Sequence, residues 1–213
     1  TRPAAIYLQM RQLTREKGQL VEERTVLKNQ LHAELAGAMP NKKSVERTQK
    51  RIALLNKQEK EITEELKALL KTDPAMKELV ELICSIPGIS TLTAATILAE
   101  TNGFELVRNK RQLTSYAGLD VREKQSGTSI KGKPKISKRG NKKLRRALYM
   151  PALAAIRCDE RAKALFARLV SKHGIKMKAA VAVQRKLLEM TYTIFKTGKP
   201  YDKEYLKNLG GNH

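Results

Sequence analysis

The sequence predicts a mainly α-helical protein: a long helical hairpin with coiled-coil character, then a compact helical domain. That domain is expected to contain a helix-hairpin-helix-like unit and a basic Gly/Ser loop. Three observations predict this. Ile52, Leu55, Glu59, Ile62, Leu66 and Leu69 alternate spacings of three and four, the a/d seam of a packed helix with one polar position. Glycines, prolines and an Asn-Gly pair cut the following residues into segments of helical length. From Lys124 to Cys158 there is no acidic residue among eleven lysines and arginines.

The first region, residues 1–72, reads as two long polar helices. The first carries Met10, Leu13, Leu20, Leu27, Leu31 and Leu35, a looser seam interrupted by Lys17 and Arg24. Gly37 and Pro40 in "GAMPNKK" break the chain between them. Such a narrow apolar stripe needs a partner: the other arm, another copy of the chain, or both. Asp73 is a candidate cap and Pro74 a first helical residue, which marks a boundary. The second region, residues 73–200, opens with "MKELVELICSIPGISTLTAATILAETNG", read as helix, tight turn, helix. Pro87-Gly88 makes the turn, Ser90 or Thr91 caps the second helix, and Asn102-Gly103 closes it. Lys110 to Ala117 reads as a short helix, and Gly118 to Gly140 as a loop with room for a short hairpin. Asn141 is the expected cap of a helix running through "KKLRRALYM", with Pro151 kinking or restarting it. Two further helices end at Gly174 and Gly198 after basic last turns. Residues 201–213 read as a polar, poorly ordered tail.

Net charge is +22 over 213 residues, with a pI near 10.1. Residues 1–72 hold 15 basic and 9 acidic residues, whereas residues 73–213 hold 28 and 12, so a polyanion is expected to meet the second region. Ribosomal or histone-like proteins, nucleic-acid enzymes and basic membrane-surface proteins all share such a balance. No apolar run of about 18 residues and no signal-peptide pattern occurs, which reads as a soluble intracellular protein without a membrane partner. Cys84 and Cys158 lack metal-ligand spacing and read as two small buried residues in a reducing compartment. Aromatic residues are 4% and tryptophan is absent, which argues weakly against single-strand binding on a stacking platform.

Three stretches carry candidate chemistry. Around Gly88 and Ser90, amides at the start of the second helix of "IPGIS" suit a phosphate, although an ordinary core turn would look the same. Lys138, Arg139, Asn141, Lys142, Lys143, Arg145 and Arg146 concentrate positive charge at a helix N-terminus, against the helix dipole. That cost is best offset by an anionic partner. Lys124, Gly127, Thr128, Lys131, Lys133 and Lys135 extend the same surface around Ser126 and Ser129. Read from residue types alone, Ser126 is an ordinary loop serine, for no histidine lies near enough to be its base. Asp120 and Glu123 are too few for a two-metal centre, so no metal site is assigned. The bottom-up reading is a basic helical nucleic-acid-binding protein with an oligomerising hairpin.

"IPGISTLTAATILAE", "FELVRNKRQLTSYAGLD", "SG" and "ISKRGNKKLRRALYMPALAAIR", in this order and spacing, resemble the C-terminal domain of the IS110-type transposases, also described as bridge-RNA-guided recombinases. The hairpin before it is similar to that family's coiled-coil region. The resemblance implies a DNA transposase or recombinase whose C-terminal domain supplies a serine nucleophile that forms a covalent DNA–serine linkage. The matching residue is Ser126, with Gln125 where many members have a further serine; Ser129 is a weaker second. The resemblance also implies DNA and a guide (bridge) RNA as partners, a homodimer or higher oligomer through the hairpin, and a bacterial, nucleoid-associated location. Divalent metal, Mg, is expected from acidic residues of an N-terminal RuvC-like domain that nothing here matches, so this chain reads as a fragment inactive alone and without a cofactor of its own. The alternative is a non-catalytic nucleic-acid-binding and dimerisation module, and a ribosomal-type RNA-binding protein is a third.

Overall fold

Two uninterrupted helices of 31 residues each, α1 (Ala5–Leu35) and α2 (Lys42–Thr72), form the first unit. The computed structural model describes residues 5–122, 125–126, 130–131 and 135–204, with the backbone alone for Arg122, Gln125, Ser126, Ile130 and Lys131. The described residues fall into two units, Thr1–Pro74 and Ala75–His213. In the first, Lys17 meets Glu59, Arg24 meets Asn56 and Glu34 meets Ser44, so α1 and α2 run antiparallel. Asn41 caps α2 by accepting from Ser44 N at 3.2 Å. Along the seam Leu55, Ile62, Leu66 and Leu70 of α2 are buried with Met10 and Leu13 of α1.

The residues that break the two seams meet each other. Lys17 Nζ donates to Glu59 Oε1 at 2.9 Å and to Thr63 Oγ1 at 2.9 Å. Arg24 pairs with the second oxygen of Glu59 and donates to Asn56 Oδ1 at 2.9 Å. Burial opposes ionisation of Glu59, but the hydrogen bond and charge of Lys17, joined by Arg24, outweigh it and hold the carboxyl below its ordinary value. One acceptor thus answers both cations, and the polar positions fix the register that an apolar stripe alone leaves loose.

The second unit is built on α4 (Thr91–Thr101), whose Ala94, Ala95, Ile97, Leu98 and Ala99 are all buried. A helix apolar on every side belongs in a core. α3 (Pro74–Cys84) precedes it, starting at Pro74 after an extended Asp73. Ser90 caps α4 by accepting from Thr93 N. After α4, Asn102, Gly103 and Phe104 are all left-handed, with φ of 52°, 61° and 62°. A bulky residue there is strained. Phe104 is held by its rings' neighbours, Tyr192 at 5.4 Å edge-on and Phe195 at 4.8 Å. α5 (Lys110–Tyr116) is followed by two short antiparallel pairs, β1 (Val121–Arg122) with β4 (Lys135–Ile136) and β2 (Gln125–Ser126) with β3 (Ile130–Lys131). α6 (Lys142–Cys158), α7 (Glu160–His173) and α8 (Lys176–Thr197) then pack on one another, with α4 against α6 and α5 against α8. α6 passes through Pro151 as one helix, and α7 and α8 stop at Gly174 and Gly198. The described helices predominate, as the patterning led one to expect.

Two expectations need correction. Residues 201–204 are not a loose tail. Tyr201 N donates to Ser85 Oγ at 2.8 Å, its hydroxyl donates to Asp159 Oδ1 at 2.8 Å, and Arg161 Nη2 donates to Lys203 O at 2.9 Å. Burial and the Asp159 carboxylate push the Tyr201 phenol up to about 12. Nor are both cysteines buried, because Cys158 at the end of α6 is exposed and Cys84 is half-buried.

Glu59→Ala should destabilise the hairpin by about 1–2 kcal/mol, since it leaves two cations without their charged acceptor. Because the folded carboxyl titrates below the unfolded one, its contribution is complete above the unfolded value and is lost as pH falls through the folded one. Thermal melts of wild type and variant should therefore converge in acid, while Glu59→Ala melts lower near neutrality.

Candidate nucleic-acid interface

The start of α6 and the base of the β1–β4 pair are built around Asn141. Its Oδ1 accepts from Lys143 N at 2.9 Å and Leu144 N at 3.1 Å, satisfying two amides of the first turn. Its Nδ2 donates to Glu100 Oε2 at 2.7 Å, across 41 residues of sequence. Its backbone N–H donates to Tyr116 O at 2.8 Å, and the Tyr116 hydroxyl donates to Glu100 O at 2.9 Å. Glu100 is 2% exposed. The last turn of α4, the end of α5 and the start of α6 are thereby joined at Asn141, through its side chain and its backbone amide.

Gly140 makes this closure sterically possible. A Cβ there would stand 2.4 Å from Tyr116 O, and its φ is 139°. Next to it, Arg145 Nη1 donates to Ala117 O at 2.8 Å, which occupies a carbonyl at the end of α5. On the hairpin side, Lys138 N donates to Gly118 O, Ser137 N donates to Asp120 O, and Ser137 Oγ donates to Asp120 Oδ1 at 2.5 Å. Lys138 is itself left-handed, with φ of 53°.

The sequence-predicted residues divide accordingly. Lys135, Lys138, Arg139, Lys142 and Arg146 are exposed on or beside this junction, and Lys143 is half-exposed. Asn141 and Arg145 are engaged in contacts within the protein. Ser126 lies in β2 with its backbone opposite Ile130, and Lys131 lies in β3; neither side chain is among those described. Lys124, Gly127, Thr128, Ser129 and Lys133 lie outside the described residues. Gly88 and Ser90 are elsewhere on the unit. A Cβ on Gly88 would stand 2.5 Å from Pro151 O and 2.9 Å from Ala155 N, so this turn packs on the middle of α6. That is about 15 Å along the helix from Asn141, at 1.5 Å per residue. Gly88 therefore has a packing duty whatever else it does.

Glu100 was not singled out from the sequence. Its only signal was an acid at the end of an otherwise apolar helix. It changes one electrostatic inference: the basic first turn of α6 has a carboxylate behind its cap, so part of the offset to the opposed dipole is internal. Among the described residues no group of three His, Cys, Asp or Glu comes together to hold a metal, and no helix is long and apolar enough to cross a membrane.

Gly140→Ala should cost about 2–4 kcal/mol in urea denaturation, because the methyl collides with a backbone carbonyl in a conformation that disfavours side chains. Gly18→Ala, inside α1 with no neighbour within 4 Å of the added carbon, should instead stabilise the protein by about 0.5–1 kcal/mol and serves as the contrasting control.

Residues 80–167, from within α3 to within α7, match a family model described as Transposase IS116/IS110/IS902 family. A pilin gene-inverting protein of Moraxella bovis is 32% identical over 136 residues, 63% of this chain and 42% of that protein. A transposase for insertion sequence element IS1111A of Coxiella burnetii is 32% identical over 157 residues, covering 70% of this chain and 41% of the relative. An insertion element IS110 protein of 43.6 kDa from Streptomyces coelicolor is 26% identical, covering 71% and 36%. The chain thus spans about two-fifths of the length of the curated relatives it matches. The matched domain holds α4, α5, the strand pairs and the whole of α6, and on these grounds residues 80–167 carry a transposase domain of the IS116/IS110/IS902 family.

Proposed function

We propose that this chain is the DNA-gripping, serine-bearing part of a DNA transposase or recombinase, with Ser126 as the nucleophile. The observation that supports it best is a juxtaposition. The backbone of Ser126 ends β2 in an arm whose base, at β1 and β4, is bracketed by exposed Lys135, Lys138, Arg139 and Lys142. Cations grouped on a rigid junction suit a phosphodiester, and they read no base sequence. The family match supports a transposition or recombination chemistry, and the name of the Moraxella bovis relative speaks of inverting a gene.

In this reading the Ser126 hydroxyl attacks phosphorus of a DNA phosphodiester. The new bond is a serine–phosphate ester, the scissile P–O bond breaks, and the hydroxyl's proton leaves to a base while the departing oxygen gains one. Lys138, Arg139 and Lys142 hold the phosphate oxygens and oppose the charge that builds in the transition state. In this reading the base and any divalent metal come from a RuvC-like domain, as the family resemblance implies, and the serine comes from this chain. No step is routed through a metal of this chain. A guide RNA selecting the target by base pairing accounts for a surface of phosphate contacts without base readers. Self-association through the hairpin is supported by an apolar groove in the first unit where Val26 and Leu54 are both 55% exposed.

The whole transposase containing this chain, given target DNA and guide RNA, should form a protein–DNA adduct stable to denaturing electrophoresis, and Ser126→Ala should abolish it. An adduct that persists in Ser126→Ala would remove Ser126 from the role; adduct-free but salt-sensitive binding would favour the non-catalytic module. The chain alone should bind duplex DNA with a log–log salt slope of about −4 to −5, the value for five neutralised phosphates. Lys138→Ala should reduce that slope by about one without changing preference among sequences.

A further inference from the structure

The junction borders a second feature that phosphate binding leaves unused. A cleft of about 620 Å³ lies between the segment after α4 and the outer side of α5, lined by Glu105, Leu106, Arg108, Gln112, Ser115 and Tyr116, with Val107 behind them. Its walls are fixed from both sides. Arg108 N donates to Gln112 Oε1 at 2.8 Å, and Arg108 O accepts from the Tyr192 hydroxyl at 2.8 Å. Glu105 is held by Asn102 Nδ2 at 2.5 Å. Asn102, which holds Glu105 from behind the lining, is 4% exposed, and among the described residues its Oδ1 has no hydrogen-bond partner. Leu106 is 54% exposed at the rim, an apolar side chain with no packing reason to be there.

Tyr116 belongs to both features. It lines the cleft, while its carbonyl accepts the Asn141 amide at the start of the basic helix. A nucleic-acid backbone held by Lys138, Arg139 and Lys142 therefore passes near Tyr116; exposed Arg108 lines the cleft, and Lys110 and Arg111 are exposed at the start of α5. The lining combines an aromatic ring, an aliphatic rim, a carboxylate, an amide and a hydroxyl. That set complements a flat heterocycle whose edge carries both donors and acceptors. It suits neither a bare phosphate, which Glu105 would repel, nor an aliphatic ligand, which would leave the amide and carboxylate unused. We propose that this cleft receives an unpaired nucleobase of the bound nucleic acid, with Tyr116 and Leu106 against its faces and Gln112, Ser115 and Glu105 at its edge. The inference rests on the nucleic-acid reading above, but not on Ser126.

The test uses the 213-residue chain and a DNA duplex with one bulged nucleotide, compared with the same duplex bearing an abasic bulge and with its fully paired form. Fluorescence anisotropy at fixed salt should show the bulged base bound about tenfold more tightly than the abasic bulge, the scale of one base–aromatic contact. Ser115→Leu fills the cleft without removing any side-chain bond the described residues show, and Glu105→Ala removes the edge carboxylate. Both should lower the advantage to about twofold or less; Ser115→Leu should leave affinity for paired duplex unchanged, whereas Glu105→Ala, which removes a negative charge, should hold or raise it. The same probes made in RNA identify which nucleic acid supplies the base, and an advantage confined to either one supports the cleft. Equal affinity for bulged and abasic probes of both kinds, or an advantage that survives Ser115→Leu, overturns the cleft and leaves the phosphate surface standing. Failure to bind any probe, paired duplex included, overturns both.

Discussion

The contact between the Glu100 carboxyl group and the Asn141 amide is the constraint on which the second unit's basic face depends. A carboxyl group this buried is costly to leave unmet, and removing its hydrogen-bond partner costs about 1–3 kcal/mol. Asn141 can meet it only if its backbone stands where its Oδ1 also caps α6 and its N–H reaches Tyr116 O. That requirement sets the start of α6, which carries Lys142, Lys143 and Arg145 in its first turn and Arg146 just after it. It also sets the return of the chain through Arg139 and Lys138 to β4. A surface that carries many like charges is held in one arrangement by such a fixed base, so its cations would lose less entropy if an anion were bound.

The same logic appears at smaller scale in the hairpin. Lys17, Arg24 and Glu59 each look like a flaw when one helix is read alone, since each interrupts an apolar seam. Together they form one ionic cluster in a protected position. Charge at a seam costs stability relative to well-packed hydrocarbon, and its return is register. The two long arms would otherwise slide by a heptad at little cost.

This shows why parts of the fold were legible in the sequence and others were not. Helix limits and caps rest on local chemistry, so Ser90, Asn141 and the Asn102-Gly103 stop could be read from their neighbours. The seam of α2 was legible through Leu55, Ile62 and Leu66 because its period is local too, but its buried end is Leu70 and not Leu69. Glu100 was not, because its partner lies 41 residues away and an acid at a helix end carries no trace of that. Gly88 and Gly140 were read as turn residues, whereas their deeper reason is a close approach of distant backbone, to α6 and to Tyr116. Tyr201 was lost in a polar tail because its anchors, Ser85 and Asp159, come from far upstream. The basic run was legible as a surface, but the use of Arg145 for a carbonyl of α5 was not. In the candidate site, residue type announced the cations and only three-dimensional proximity sorted those facing inward from those facing out.

Amide hydrogen exchange in Glu100→Ala tests most directly whether this carboxylate builds the face. The first-turn amides of Lys143 and Leu144, and the Asn141 amide, should lose at least tenfold protection, the equivalent of about 1.4 kcal/mol, while the α8 core amides of Val183 to Leu188 keep theirs. Unchanged protection at Asn141 and Leu144, or an equal loss in α8, would contradict the claim, since it would make Glu100 either idle or merely part of global stability.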